Sequence, residues 1–353
     1  MKIVVVNTAA SSGGALSILK DFYQYIKEND VSNEWIFFLS DYYIEETENI
    51  TVKVIKESKN KINRLKMDNL NGHRLISQYK PDVVFSMQNT TVSNLSVPQV
   101  VYLHQPIPFQ NIKNYSFFKK EEYNFAIIQH ILGANIKYGL RRADKTIVQT
   151  NWMKEAIIEQ TNLKTEDILV ISPSINIEKN IINRTKTFQP NRFFYPTSSI
   201  PYKNNSLIDE ACDYIDSIEP SLNYRVDITV EEDFGNNHIH SIGKVSRNDV
   251  FNKLNNEVLV FPSYIETFGL PLAEGRQLNS IIFAADTPFA REILDGYQNS
   301  YFFDPFDEKA LGNLMIDSIK GQIVKYPRSK EVESYNNSWE RVYKLLLSTK
   351  QSQ

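Results

Sequence analysis

Short, continuous apolar runs alternate with longer stretches of mixed polarity from one end of this chain to the other. Such runs, bounded by turn residues, read as strands buried on both faces, and the amphipathic stretches between them read as crossover helices. The pattern therefore predicts an α/β protein built on parallel sheets. In the first half, strands are expected at Lys2–Val6, Trp35–Leu39, Val52–Ile55, Val83–Ser86, Val100–Leu103, Thr146–Val148 and Ile168–Ile171. The second half restarts the pattern at Arg192–Tyr195, Arg225–Thr229, Ile239–Ile242, Val258–Phe261, Ile281–Ala284 and Tyr301–Phe303. Helices are expected at Asn204–Ser217, Asn248–Asn255, Leu270–Asn279, Phe289–Leu294, Glu308–Lys320 and Ser334–Leu347. The last of these carries Trp339, Val342, Tyr343, Leu346 and Leu347 at helical spacing, which marks a packing face. Residues 173–190 are rich in Asn, Ser and Thr and lack a clear period, so they read as a linker. The expected organisation is a first domain at 1–172 and a second at 191–333.

Bulk properties narrow the picture. A chain of 353 residues is long enough for two domains of ordinary size. A net charge of −3 gives no global attraction to nucleic acid or anionic lipid, so any such contact needs a local patch. The single cysteine, Cys212, cannot form an intrachain disulfide; in a helical stretch it reads as a small apolar residue, in keeping with a reducing compartment. The apolar run at Met1–Asn7 is too short for a signal peptide, and no stretch approaches the ~18 apolar residues of a membrane span. A cytoplasmic location is the expectation. With 5 His and 1 Cys, and no His-x-x-x-His pattern, no metal site is expected.

The candidate chemistry centres on Phe261-Pro262-Ser263-Tyr264-Ile265-Glu266-Thr267-Phe268-Gly269-Leu270-Pro271-Leu272-Ala273-Glu274. The strand before it, the glycine within it and a proline suited to a first helical turn define a strand, loop and helix start. Glu266 then lies in the loop and Glu274 about one turn into the helix. The free N–H groups of that helix start favour an anion such as a phosphate. A capped helix with two incidental surface acids accounts for the same spacing.

This stretch resembles the Glu-x7-Glu motif of retaining glycosyltransferases of the GT-B fold, in particular the large group called family 4. The resemblance implies two Rossmann-like domains facing across a cleft, with a C-terminal helix, here 334–353, crossing back to the first domain. It also implies that Glu266, with Phe268, Gly269 and Leu270, meets the donor sugar and that Glu274 binds the ribose hydroxyls. Asn337-Ser338-Trp339-Glu340-Arg341-Val342 is similar to the crossing segment of that family.

Other stretches are read beside it. Ser11-Ser12-Gly13-Gly14 opens a helix after the first strand, where paired glycines permit close approach of a ligand, although a tight turn explains them equally well. The resemblance makes Gly13 and Gly14 a cleft loop. His104 ends a strand, at the edge where open α/β sheets bind ligands, and the family's histidine at this place faces the sugar. Lys203, at a helix start where the dipole disfavours a cation, resembles the lysine that grips the donor diphosphate. The family's Gly-Arg after the preceding strand is absent: Pro196-Thr197-Ser198 stands there, leaving the hydroxyls of Thr197 and Ser198 as partial substitutes. Gly243 resembles the glycine near the nucleotide base. After Glu274 the family's small residue, Gly and Pro are replaced by Gly275, Asn279 and Ser280. A basic and aromatic group, Lys53, Lys56, Lys59, Lys61, Arg64 and Lys66 with Phe109, Tyr115, Phe117, Phe118, Lys119 and Lys120, reads either as a surface for anionic lipid or as a solvated face over ordinary core aromatics.

The resemblance implies transfer of a sugar, with retention, from a nucleoside-diphosphate donor, UDP favoured, to a glycan or polyprenyl-diphosphate-linked acceptor in bacterial surface polysaccharide synthesis. Glu266, His104 and Lys203 are the expected catalytic group, with no protein nucleophile assigned and no cofactor, metal or nucleic acid expected. The alternatives on the same fold are a sugar-nucleotide epimerase, a phosphorylase, or a catalytically silent homologue serving as a binding subunit.

Overall fold

The computed structural model describes residues 1–11, 13–175, 177, 181, 187–328 and 338–349. It resolves two compact units, one formed by Met1–Ser174 with the C-terminal helix and the other beginning at Ile175. Most of the expected linker and the start of the expected last helix, 334–337, lie outside the described residues.

The first unit holds strands β1 (Lys2–Asn7), β2 (Glu34–Leu39), β3 (Ile50–Val54), β4 (Val83–Ser86), β5 (Gln99–Tyr102), β6 (Lys145–Val148) and β7 (Ile168–Val170). Its helices are α1 (Gly13–Asn29), α2 (Lys61–Lys66), α3 (Gly72–Ser77), α4 (Tyr123–Ala126), α5 (Gly133–Leu140) and α6 (Asn151–Thr161). The sheet order is β3-β2-β1-β4-β5-β6-β7 and every pair is parallel. Ile3, Val4, Val5 and Val6 are all fully buried, as befits a strand covered on both faces. Met67–Asn71 and Ile127–Leu132 are wide π-type turns that join α2 to α3 and α4 to α5.

The second unit holds β8 (Arg192–Tyr195), β9 (Arg225–Ile228), β10 (Ile239–Ser241), β11 (Val258–Phe261), β12 (Ile282–Ala285) and β13 (Ser300–Phe303). Its helices are α7 (Asn205–Ile218), α8 (Arg247–Asn256), α9 (Leu270–Gln277), α10 (Pro288–Ile293) and α11 (Glu308–Ile319). This sheet is also parallel throughout, in the order β10-β9-β8-β11-β12-β13. Cys212 is buried in α7, where burial pushes its thiol up to about 12, in line with an inert apolar role. Gly275 packs α9 onto the sheet: a Cβ there would lie 3.1 Å from Ile282 Cδ1 and 3.2 Å from Leu259 Cδ2. Asn279 follows with φ +58°, the left-handed conformation for which asparagine is the usual non-glycine choice. The departure from the family pattern therefore still makes a compact helix-to-strand turn.

The final helix, α12 (Ser338–Thr349), belongs to the first unit. Val342 and Leu346 are buried in the core that also contains Phe22, Trp35 and Phe85. Trp339 lies 5.1 Å from the Phe22 ring, Asn33 Nδ2 donates to Tyr343 Oη at 3.2 Å, and Arg341 donates to the Val170 carbonyl at 3.0 Å. An apolar face thus joins residues more than three hundred positions apart in sequence to one core. Leu346→Ala is expected to destabilise that unit by about 2–5 kcal/mol, read from urea unfolding.

Both sheets reverse their strand order once, between β1 and β4 and between β8 and β11. At such a switch point the loops leave in opposite directions and open a crevice outside the carboxyl ends of the strands.

Candidate active site

The switch point of the second sheet brings together the loops that follow β8 and β11. After β8 hydrogen bonds fix the path of the chain. Thr197 N donates to Thr229 Oγ1 at 2.7 Å, and the buried Tyr195 Oη donates to the Lys203 carbonyl at 2.9 Å. Pro201–Lys203 forms one tight turn. Asn204 then takes φ +59°, and its side chain donates to the Pro305 carbonyl at 2.7 Å, before α7 begins. This fixes the lysine backbone and leaves the side chain to reach across to the next strand.

There Lys203 Nζ meets Glu266 Oε1 in an ion pair, with the side chains 20% and 17% exposed. The fully buried Ser263 donates its hydroxyl to the same oxygen at 2.9 Å. The lysine that the helix dipole disfavours is thus balanced by a carboxylate from the neighbouring loop. Between the loop and α9, Gly269 adopts φ +81°, a conformation that disfavours any residue with a Cβ. No side-chain hydrogen bond caps α9; Pro271 carries no N–H and the Leu272 amide donates to the Gly269 carbonyl at 2.9 Å, so the Leu270 amide is the first-turn donor left to meet an anion.

Glu274 is the fifth residue of α9 and only 3% exposed. Burial pushes its carboxyl up to about 7, against the opposing pull of the Arg247 guanidinium that hydrogen-bonds it. Arg247 is the first residue of α8, behind Ser246, whose hydroxyl accepts from the Asp249 amide at 3.2 Å as a helix cap.

The remaining expected donor residues are placed less uniformly. The Thr197 hydroxyl is engaged with Asn205 Oδ1 at 3.2 Å. Ser198 is exposed, and its carbonyl accepts from Asn205 at 3.1 Å. Gly243 has φ +61°, so it is required by the backbone turn. Phe268 is 2% exposed, which leaves its backbone rather than its ring to meet a ligand; Leu270 is 38% exposed.

His104, Gly13 and Gly14 belong to the first unit. The His104 amide donates to Asn89 Oδ1 at 2.6 Å and its ring stacks edge-on at 4.0 Å from Tyr102. Its Nδ1 is buried without a hydrogen-bond partner, and burial holds the imidazole down to about 4, so it is neutral at physiological pH. Gly13 opens α1, and a Cβ on Gly14 would touch nothing within 4 Å, so packing does not demand a glycine there.

Part of the basic and aromatic group is core. Phe109 and Tyr115 are 1% and 3% exposed, Phe109 packing with Val101, Leu103 and Leu140. They are core rather than surface aromatics: Phe109 packs beside β5, and Tyr115 stacks on Phe125 with ring centroids 5.1 Å apart. Phe117 and Phe118 are exposed, the latter almost completely. Lys59 pairs with Asp41 and Lys119 with Glu122, which dilutes the positive patch.

Three features went unread in the sequence. Arg247 and Ser263 are the partners of the two acids. In the first unit, Asp68 is buried in the wide turn after α2 and accepts from Gln88 at 2.6 Å, while Gln88 accepts from both the amide and the hydroxyl of Thr8 at 3.0 Å. Burial pushes the Asp68 carboxyl up to about 7, with Arg64 opposing. This network ties together the carboxyl ends of β1 and β4.

Comparison with known proteins agrees with this architecture. Residues 222–338 match the family model "Glycosyl transferases group 1", and residues 40–179 match "Glycosyltransferase Family 4". The chain belongs to the GT-B glycosyltransferases. Among solved structures, HepE of Anabaena in complex with UDP-glucose is similar, with a TM-score of 0.62 at 14% identity over 99% of this chain and 97% of that one. The lipopolysaccharide outer core galactosyltransferase WaaB gives 0.59 at 17% identity, covering 99% and 98%. A UDP-GlcNAc 2-epimerase from Methanocaldococcus jannaschii gives 0.53 at 10% identity, covering 98% and 99%. At these identities the likeness speaks to the fold. A search of curated protein sequences returned no match.

Proposed function

We propose that this glycosyltransferase moves a sugar, with retention of configuration, from a UDP-sugar to a glycan or lipid-linked acceptor in bacterial surface polysaccharide synthesis. The observation that carries the reading is the Lys203–Glu266 pair at the β8/β11 switch point, beside the uncapped start of α9. Charge builds on the leaving diphosphate as the bond to the sugar breaks, and a cation with fixed backbone donors stabilises that charge more than it does the bound donor. On this reading Lys203 and the Leu270 amide at the start of α9 take the diphosphate. Glu266, released from the lysine but still held by Ser263, orients the sugar hydroxyls. Glu274 accepts from the ribose hydroxyls. His104, in the first unit, is neutral, so it is a hydrogen-bonding group rather than a cation. No side chain is assigned as nucleophile, and the neutralisation needs no metal.

UDP is favoured because a structural relative was solved with UDP-glucose, and a surface polysaccharide because another is a lipopolysaccharide galactosyltransferase. Exposed Phe117, Phe118 and Tyr123 beside Lys119 and Lys120 support a peripheral contact with anionic membrane. No helix among the described residues is long and apolar enough to cross a membrane.

A thermal-shift series with UDP-, GDP- and ADP-sugars tests the donor. A UDP-sugar at about a hundred times its Kd is expected to add ~2.7 kcal/mol to apparent stability. The reading fails if no sugar nucleotide shifts the melting curve. Binding without release of UDP, with or without acceptor, would favour the silent homologue, and conversion of the UDP-sugar to its epimer would favour the epimerase.

A further inference from the structure

Among the described residues, Arg247 is the hydrogen-bond partner of Glu274, yet the two are unlike in their surroundings. The carboxylate is buried, whereas 58% of the Arg247 side chain is exposed. The guanidinium pairs with no second acid among the described residues and lies 5.0 Å over the Phe251 ring, a face contact that keeps its outward N–H groups free. Its backbone opens α8, which packs on α9, the helix whose first turn is uncapped.

Charge balance gives this arrangement a meaning. Without ligand, two cations match two carboxylates: Lys203 with Glu266, and Arg247 with Glu274. A nucleoside diphosphate brings at least two further negative charges, which one lysine cannot neutralise. The loop after β8 adds only hydroxyls, and that of Thr197 is already bonded to Asn205. A guanidinium offers forked donors suited to phosphate oxygens, on an arm long enough to travel several ångströms.

We propose that Arg247 is a second cation of the nucleoside-diphosphate site, parked on Glu274 while the site is empty. When the nucleotide enters, its ribose hydroxyls replace the guanidinium on Glu274 and Arg247 turns onto the diphosphate. No covalent bond changes; one ion pair is exchanged for another and for hydrogen bonds. The inference rests on the donor reading given above, and it adds a residue that occupies the role left open by Thr197 and Ser198.

The test compares UDP with uridine, which has the ribose and base but no phosphate, by competition binding to the wild-type chain, Arg247→Gln and Arg247→Lys. Glutamine removes the charge and leaves a shorter amide donor, and the uridine measurement reports whether Glu274 itself is disturbed. Arg247→Gln is expected to weaken UDP by about tenfold or more and to leave uridine within about twofold; Arg247→Lys is expected to recover most of the UDP affinity. Salt should weaken UDP less steeply in Arg247→Gln than in the wild type. Equal losses for UDP and uridine would show that Arg247 only arranges Glu274, and unchanged UDP affinity would remove it from the site; either overturns the proposal. A wild-type protein that binds neither compound overturns the donor reading itself, which is a separate failure.

Discussion

Lys203→Met is expected to lower the rate of UDP release from a UDP-sugar, in the presence of acceptor, by about two to three orders of magnitude. The lysine is held from both ends: its carbonyl accepts from Tyr195 Oη, and its ammonium pairs with Glu266. The lysine backbone is thus fixed before the donor arrives, and exchange of the Glu266 pair for the diphosphate is the one rearrangement the cation needs. Methionine preserves the stem, so the turn Pro201–Lys203 and the packing of Tyr202 are expected to persist. Glu266 keeps its bond from Ser263 and some solvent, so the loss of the cation does not strand a fully buried charge. The melting temperature should therefore change little while turnover collapses. Glu266→Gln separates the two roles: it retains the Ser263 contact, and its loss should fall on kcat with the sugar donor more than on affinity for UDP. Turnover within about threefold of wild type in Lys203→Met would sink the assignment, because a phosphate-stabilising cation is not dispensable at that level.

What was legible in the sequence follows from which physical signals are local. A strand buried on both faces writes itself as a continuous apolar run, and Ile3–Val6 and Val258–Phe261 are such runs, fully or almost fully buried in the structure. The turn at Gly269 and Pro271 was equally local, and it placed Glu266 in a loop and Glu274 inside a helix. The first unit's helices were harder to read. The segment from Lys61 to Ser77 is interrupted by a wide turn and exposes Ile62 and Leu70, so its apolar period is blurred. Phe109 and Tyr115 looked like companions of Phe117 and Phe118 because sequence proximity to lysines is blind to which side of a loop faces the core. Arg247 was invisible for a different reason. It opens a largely polar helix, and nothing within its own stretch refers to an acid twenty-seven residues on. Its role is a tertiary contact, legible once α8 and α9 are seen side by side.

Glu274→Gln is expected to make the protein more stable and less able to bind its donor. The folded-state carboxyl titrates at about 7, above its ordinary value, because burial outweighs the Arg247 guanidinium. The sign follows from proton counting: between the ordinary carboxyl range and pH 7 the folded chain holds a proton that the unfolded chain has released. Stability from this group is therefore complete in acid, below the unfolded value, and is lost as pH rises through about 7. At pH 8 the buried charge costs on the order of 2–3 kcal/mol relative to a neutral isostere. Urea unfolding should accordingly show Glu274→Gln more stable than wild type by that order at pH 8, with the gap closing toward pH 4. Binding should move the other way, with UDP affinity falling by about tenfold or more, since an amide is a weaker acceptor for two ribose hydroxyls than a carboxylate. A variant less stable than wild type at pH 8 would show that the Arg247 pair, not the burial, dominates this position. A carboxylate buried inside a helix at a cost to the fold, beside an arginine whose side chain is 58% exposed, fits the ribose-binding role proposed for it.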